Sequence, residues 1–128
     1  MKSKNKSGLL LRFLSLMLLI PVLACNSNVI STKIEGGNPE VGKEKIQQYG
    51  CATCHEIPGV ATAIGRVGPP LTHMASRTYL AGQLLNTPDN MMHWIQKPQE
   101  FEQHTAMPDT RVNEQDARDM IAYLYSLN

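Results

Sequence analysis

The pentapeptide Cys51-Ala-Thr-Cys54-His55 constrains this chain more than any other feature of its sequence. It places two thiols three residues apart, with an imidazole directly after the second. Thiols at this spacing can add to the two vinyl groups of one haem, and the adjacent imidazole is then held against one face of the iron. The motif therefore predicts a covalently attached haem c, bound through Cys51 and Cys54, with His55 as an axial ligand.

Three other chemistries use paired cysteines, and each fits less well. A dithiol redox site needs only the two thiols, leaves His55 unexplained and usually follows a βαβ pattern, which is missing here. A zinc site needs a second pair of ligands, and the one remaining cysteine is Cys25. A structural disulfide across so short a turn would close little loop entropy.

A low-spin electron-transfer haem also needs a sixth ligand, and a thioether raises the potential by favouring reduced iron. Met107 is the favoured candidate because Thr105-Ala-Met-Pro-Asp109 is a non-helical stretch that can present sulfur to iron. His104 shares this loop and is the main rival. The other methionines are less suitable: Met91, Met92 and Met120 are expected to pack in helices, and Met74 follows the loop that supports His55, which places it on the wrong side of the haem. His73 and His93 are expected to be surface residues.

The amino-terminal segment 1–24 predicts an export signal. A basic start from Lys2 to Arg12 precedes an apolar run from Phe13 to Leu23, which is too short to span a bilayer comfortably. Val22-Leu23-Ala24-Cys25 resembles the lipobox of bacterial lipoproteins, which implies a lipidated Cys25. The alternatives are a short anchor that stays attached, or cleavage nearby that leaves Cys25 as a free thiol.

Removal of this segment changes the charge of the chain. The whole sequence has a formal net charge of +1, but residues 25–128 carry 8 basic and 11 acidic side chains, a net charge of −3. This balance argues against a nucleic-acid partner, which a clustered basic face would indicate. Residues 25–37 are polar and aperiodic and are predicted to be a flexible tether. Residues 38–128 are then one folded domain.

Three amphipathic helices are predicted from their ends. One begins at Asn38-Pro39 and leads into Cys51, and a second begins at Thr87-Pro88 and ends before Pro98. Asn113 caps the last, whose apolar residues recur at i, i+3, i+4 and i+7: Ala117, Met120, Ile121 and Leu124. No alternating strand pattern of useful length is present. The fold is predicted to be all-α, with three to five short helices around one covalently bound haem.

These residues together resemble a class I, mono-haem cytochrome c over most of 38–127. Gly68-Pro69-Pro70-Leu71 is similar to the family's Gly-Pro-x-Leu loop. The resemblance implies that the Pro69 carbonyl accepts a hydrogen bond from His55, which would orient the ring and raise its basicity. It also implies that Leu71 packs against the proximal face of the haem.

The resemblance extends to three further places. Arg77 would lie near a haem propionate, with a solvated surface arginine as the alternative, and Trp94 would line the pocket near the methionine ligand. The last helix would cross the first near Gly42, where the missing side chain permits close approach. The gap before Cys51 is one residue longer than in many relatives, so either Ile46 or Tyr49 is the packing partner of the last helix.

The run from Tyr79 to Ile95 looks especially like the cytochrome c domain fused to subunit II of some haem-copper oxidases. The haem motif and Met107, placed behind an export signal and Cys25, predict a membrane-anchored carrier of single electrons, exported to the periplasmic side of a bacterial membrane or to the cell surface. The resemblance implies that this carrier works in a respiratory chain. Its partners would be redox proteins such as a terminal oxidase or a dehydrogenase, and it would be a carrier or complex subunit, not an enzyme by itself. The alternative is a haem-based sensor or small-ligand binder with a weak or absent sixth ligand.

Overall fold

The computed structural model of this chain describes residues 33–127. Its helices are α1 (Pro39–Gln48), α2 (Pro88–Gln96) and α3 (Glu114–Ser126), with short 3-10 turns at Cys51–Thr53, Met74–Ser76 and Pro98–Glu100. The predicted export signal and Cys25 lie outside the described residues. In the described part of the chain, no helix has both the length and the apolar character needed to cross a membrane.

The three helices begin where their sequences predict. Asn38, Thr87 and Asn113 each accept a hydrogen bond from a backbone N–H in the first turn of the helix that follows. Such side chains satisfy donors that have no partner within the helix. Pro39 and Pro88 occupy the first position of their helices, where the missing N–H costs nothing. The prediction of an all-α fold built on these helices is confirmed.

Helices α1 and α3 cross at Gly42. A Cβ built on Gly42 would lie 2.9 Å from the Met120 backbone nitrogen and closer still to the Asp119 carbonyl, so the close approach requires glycine. Ile46 is 2% exposed and belongs to the core. Tyr49 contributes differently, because its hydroxyl donates a 2.9 Å hydrogen bond to Asp116 Oδ2 on α3. Both candidates therefore join the two helices, one by packing and one by a hydrogen bond.

Helix α3 is buried well beyond its predicted apolar stripe. In addition to that stripe, Ala122, Tyr123 and Tyr125 are buried. Tyr123 donates its hydroxyl to the Pro58 carbonyl at 2.6 Å, and Tyr125 donates to Asn86 Oδ1 at 2.6 Å. Burial raises the pKa of Tyr125 to about 12, so this hydroxyl stays a donor at neutral pH. The helix is thus covered on more than one side.

Part of the predicted tether packs on α3. Ile34 is 7% exposed, and the Gly36 carbonyl accepts a 3.0 Å hydrogen bond from Gln115 Nε2. A Cβ on Gly37 would lie 2.8 Å from the Cβ of Ala122, so the backbone lies directly against the helix. The packed part of the chain therefore extends to Ile34, upstream of the boundary predicted at Asn38.

A small antiparallel ladder connects the loop and α2. Strands β1 (Tyr79–Leu80) and β2 (Leu84–Leu85) pair Tyr79 with Leu85 and Leu80 with Leu84. Two-residue strands are too short to show a period-two pattern, which explains why the sequence did not indicate them. The ladder does not alter the fold class.

Candidate functional site

A mostly apolar cavity of about 440 Å³ opens between the helices and the loops that connect them. This volume lies in the range of about 300–1,000 Å³ that cofactor and small-molecule sites occupy. Its lining includes Cys51, Cys54, His55 and Met107, the four residues that the sequence assigned to haem binding. The fold therefore brings these four side chains to one cavity.

The two cysteines follow the end of α1 through a tight turn. Gly50 has φ +73, a left-handed conformation that glycine adopts without strain, and it leads into the 3-10 turn Cys51–Thr53. The Cys51 carbonyl then accepts hydrogen bonds from the N–H groups of Cys54, at 3.2 Å, and His55, at 3.0 Å. Cys51 and Cys54 form no disulfide with each other. The turn presents both sulfurs and the imidazole to the cavity.

His55 is held by the loop that follows it. Its Nδ1 lies 2.7 Å from the Pro69 carbonyl. A carbonyl only accepts hydrogen bonds, so Nδ1 carries the proton and donates. Nε2 then keeps a free lone pair, which is the state that a metal-binding imidazole requires. The contact between His55 and Pro69 that the family resemblance implies is present in the structure.

Two glycines let this loop lie flat against the motif. The N–H groups of Val67 and Gly68 both donate to the Cys54 carbonyl, at 3.1 and 2.9 Å. A Cβ on Gly68 would lie 2.6 Å from His55 Nδ1, and one on Gly65 would lie 2.5 Å from the Thr53 carbonyl oxygen. The cradle around the imidazole therefore has no room for a side chain at either position.

Leu71 and Arg77 complete this side of the site. Leu71 is half-buried, lines the cavity and donates its N–H to the Glu56 carbonyl at 2.8 Å. Arg77 is half-buried and also lines the cavity. Its Nη2 donates to the carbonyls of Pro70, at 2.5 Å, and Thr72, at 2.9 Å. Arg77 thus connects two carbonyls of the loop by hydrogen bonds and is not a fully solvated surface side chain.

The candidate sixth ligands differ in whether they line the cavity. Among the described methionines, four line the cavity, and the histidines considered as rivals do not. His104 is turned outward, with a side chain 91% exposed. Met107 is half-buried and lies in a loop, whereas the other three lining methionines are buried in a 3-10 turn or a helix: Met74, Met91 and Met120. Met74 lines the cavity from the 3-10 turn that follows the loop supporting His55.

The aromatic side of the cavity comes from α2. Trp94 is half-buried and lines the cavity, as expected, and its ring lies 6.4 Å from that of Phe101. Two side chains for which the sequence predicted no role bind the Met107 backbone. Gln99 donates to its carbonyl and Thr105 accepts from its N–H. Thr105 is close to Met107 in sequence, but no sequence signal indicates Gln99, eight residues away.

Comparison with known proteins places the chain in a family. The family model for cytochrome c matches residues 40–128, so the chain belongs to the cytochrome c family. The cofactor of this family is a covalently bound haem c, and its members are electron carriers. The apolar cavity, the paired thiols and the Nδ1–H tautomer of His55 fit that group.

Two individual proteins are similar to the chain. Cytochrome c oxidase subunit 2 of Alkalihalophilus pseudofirmus is 36% identical over 87 residues, which are 67% of this chain and 25% of that protein. The chain thus spans a quarter of this relative's length. Among solved structures, cytochrome c2 from Rhodobacter sphaeroides is 24% identical, with a TM-score of 0.48 over 71% of this chain and 96% of that chain.

Proposed function

We propose that this cytochrome c is a lipid-anchored carrier of single electrons in a respiratory chain. In this proposal Cys51 and Cys54 attach the haem covalently, and His55 and Met107 are its axial ligands. The bound haem supplies a one-electron couple between ferric and ferrous iron. The polypeptide supplies the ligands, their orientation and a dry pocket.

The observation that carries the proposal is the hydrogen bond from His55 Nδ1–H to the Pro69 carbonyl. It leaves Nε2 as the nitrogen with a free lone pair, on a side chain that lines the same cavity as both thiols. A carbonyl partner of this kind fixes the plane of the imidazole and raises its basicity. A basic, fixed imidazole keeps its place in both oxidation states, as a carrier requires.

Position and burial support Met107 as the second ligand. It lines the cavity from a loop and is half-buried, whereas His104 in the same loop is exposed and lies outside the lining. The three other lining methionines are at most 4% exposed and form part of the hydrophobic core. A thioether in the sixth position favours the reduced state and so raises the potential.

Anchoring rests on the sequence before Ile34. The segment Val22–Cys25 resembles a lipobox, and eight residues separate Cys25 from Ile34, where the chain already packs on α3. Eight extended residues reach at most about 30 Å, so the domain would stay close to the bilayer. The similarity to an oxidase subunit 2 favours a terminal oxidase or another respiratory complex as the redox partner.

Substitution of Met107 tests this function. In Met107→Ala holoprotein we expect loss of the weak red sulfur-to-iron absorption band and a fall in the midpoint potential of more than about 60 mV, a tenfold change in a one-electron equilibrium. His104→Ala is the matched control from the same loop and should keep both properties. The proposal fails if Met107→Ala keeps the band and the potential. Rapid carbon monoxide binding by the reduced wild-type protein would instead indicate the small-ligand binder.

A further inference from the structure

The loop that carries Met107 is held almost entirely by side chains. From Ala106 to Val112, no backbone-to-backbone hydrogen bond joins the loop to the described part of the chain. Backbone ladders hold most polypeptide segments in place, so a loop without one depends on whatever other hydrogen bonds it makes. The bonds that α2 and the following 3-10 turn supply are therefore the ones that set where this loop lies.

Three such bonds cross from this helical segment to the loop. Gln96 Nε2 donates to the Val112 carbonyl at 3.0 Å, and Thr110 Oγ1 donates to the Ile95 carbonyl at 2.5 Å. The third, from Gln99 Nε2 to the Met107 carbonyl at 2.7 Å, is the only one of the three that reaches Met107 itself. The first two hold the far end of the loop, beyond Pro108.

Both polar groups of the Met107 backbone are bound by side chains. The carbonyl accepts from Gln99, and the N–H donates to Thr105 Oγ1 at 3.2 Å. Pro108 follows and has no N–H of its own, so it cannot donate a backbone hydrogen bond that would hold this stretch. Gln99 and Thr105 therefore fix the Met107 backbone, and with it the direction in which the Met107 side chain leaves the loop.

We propose that Gln99 is a positioning residue for the Met107 thioether, a proposal that rests on Met107 being the sixth ligand. Gln99 does not line the cavity and acts through the Met107 backbone. It fixes the Met107 backbone against the 3-10 turn Pro98–Glu100, and this keeps the loop closed over the cavity. Loss of the bond lets the loop move out more often, which exposes the sixth position to ligands from solution.

The test measures how easily an external ligand displaces the loop. Imidazole is titrated into oxidised holoprotein of the wild type, Gln99→Leu and the matched control Gln96→Leu. Each variant loses one amide-to-carbonyl hydrogen bond from the same helical segment to the same loop. We expect Gln99→Leu to bind imidazole about three- to tenfold more tightly, the factor that corresponds to one net hydrogen bond. Gln96→Leu should stay within about twofold of the wild type.

Thr105→Val provides a second variant, because it removes the acceptor of the Met107 N–H without touching Gln99. It should shift imidazole affinity in the same direction, and it carries the test if Gln99→Leu does not fold. The proposal is overturned if Gln99→Leu binds imidazole as the wild type does, or if Gln96→Leu shifts the affinity equally. A wild type without the sulfur-to-iron band would instead refute Met107 as ligand, so the two failures are distinguishable.

Discussion

Gly68→Ala tests whether the imidazole of His55 needs the space that this glycine leaves. The new Cβ would lie 2.6 Å from His55 Nδ1, and ordinary contact begins at 3.4 Å, so the ring or the loop must move by at least about 0.8 Å. Gly68 is not among the residues with positive φ, so alanine meets no backbone strain there. The whole effect is therefore steric and is directed at the proposed ligand.

The expected cost has two parts. Overfilling a packed site costs about 1–3 kcal/mol of unfolding free energy. A displaced ring also weakens the 2.7 Å bond to the Pro69 carbonyl, which adds about 1 kcal/mol. That bond makes the imidazole more basic and so favours ferric iron over ferrous iron. Its loss should raise the midpoint potential by roughly 20–60 mV, the equivalent of about 0.5–1.4 kcal/mol.

Denaturant unfolding and spectroelectrochemical titration of the holoprotein measure these two quantities. Gly82→Ala is the matched control, because Gly82 has φ +79 and nothing within 4 Å of an added Cβ. Its left-handed backbone should cost about 1–2 kcal/mol of stability and leave the potential unchanged. Wild-type stability and potential in Gly68→Ala would refute the reasoning, as would an equal shift of potential in Gly82→Ala.

Three further predictions concern the rest of the chain. Gly42→Ala should lower the free energy of unfolding by about 1–3 kcal/mol in denaturant titration, because its Cβ meets α3 backbone; unchanged stability would contradict the close crossing. Burial alone would raise the pKa of Asp116, but its hydrogen bonds and its ion pair with Lys45 hold the pKa below the ordinary value. The ionised carboxylate therefore stabilises the fold above about pH 4, and this contribution disappears as the pH falls further. Thermal melts of Asp116→Asn should therefore show a weaker loss of stability in that acidic window than the wild type, and an identical acid profile would count against the assignment. Cys25→Ser should move the protein from the detergent phase to the aqueous phase in detergent partitioning, whereas retention in the detergent phase would exclude a lipid on this residue.

The three α-helices and the attachment motif could be predicted because their signals are local. Each helix cap binds an N–H group two or three residues ahead, so a short stretch of sequence is enough to recognise it: Asn38, Thr87 and Asn113. The burial of Tyr123 and Tyr125 could not be predicted in the same way. A single apolar stripe in the sequence indicates that only one face of the helix is buried. The two tyrosine hydroxyls are bound by residues distant in the sequence, Pro58 and Asn86.

The haem attachment motif and the helix ends could be predicted from the sequence, because each depends on residues a few positions apart. The choice of the loop methionine Met107 as the sixth ligand rests on the same kind of local signal and stays a prediction. The tertiary structure settles the tautomer of His55, because a loop that folds back from 14 residues away brings in the Pro69 carbonyl that the family resemblance implied. It also decided that His104 faces outward and that Gln99 holds the Met107 backbone. No periodicity encodes such a contact, because it depends on where separate segments come to rest against one another.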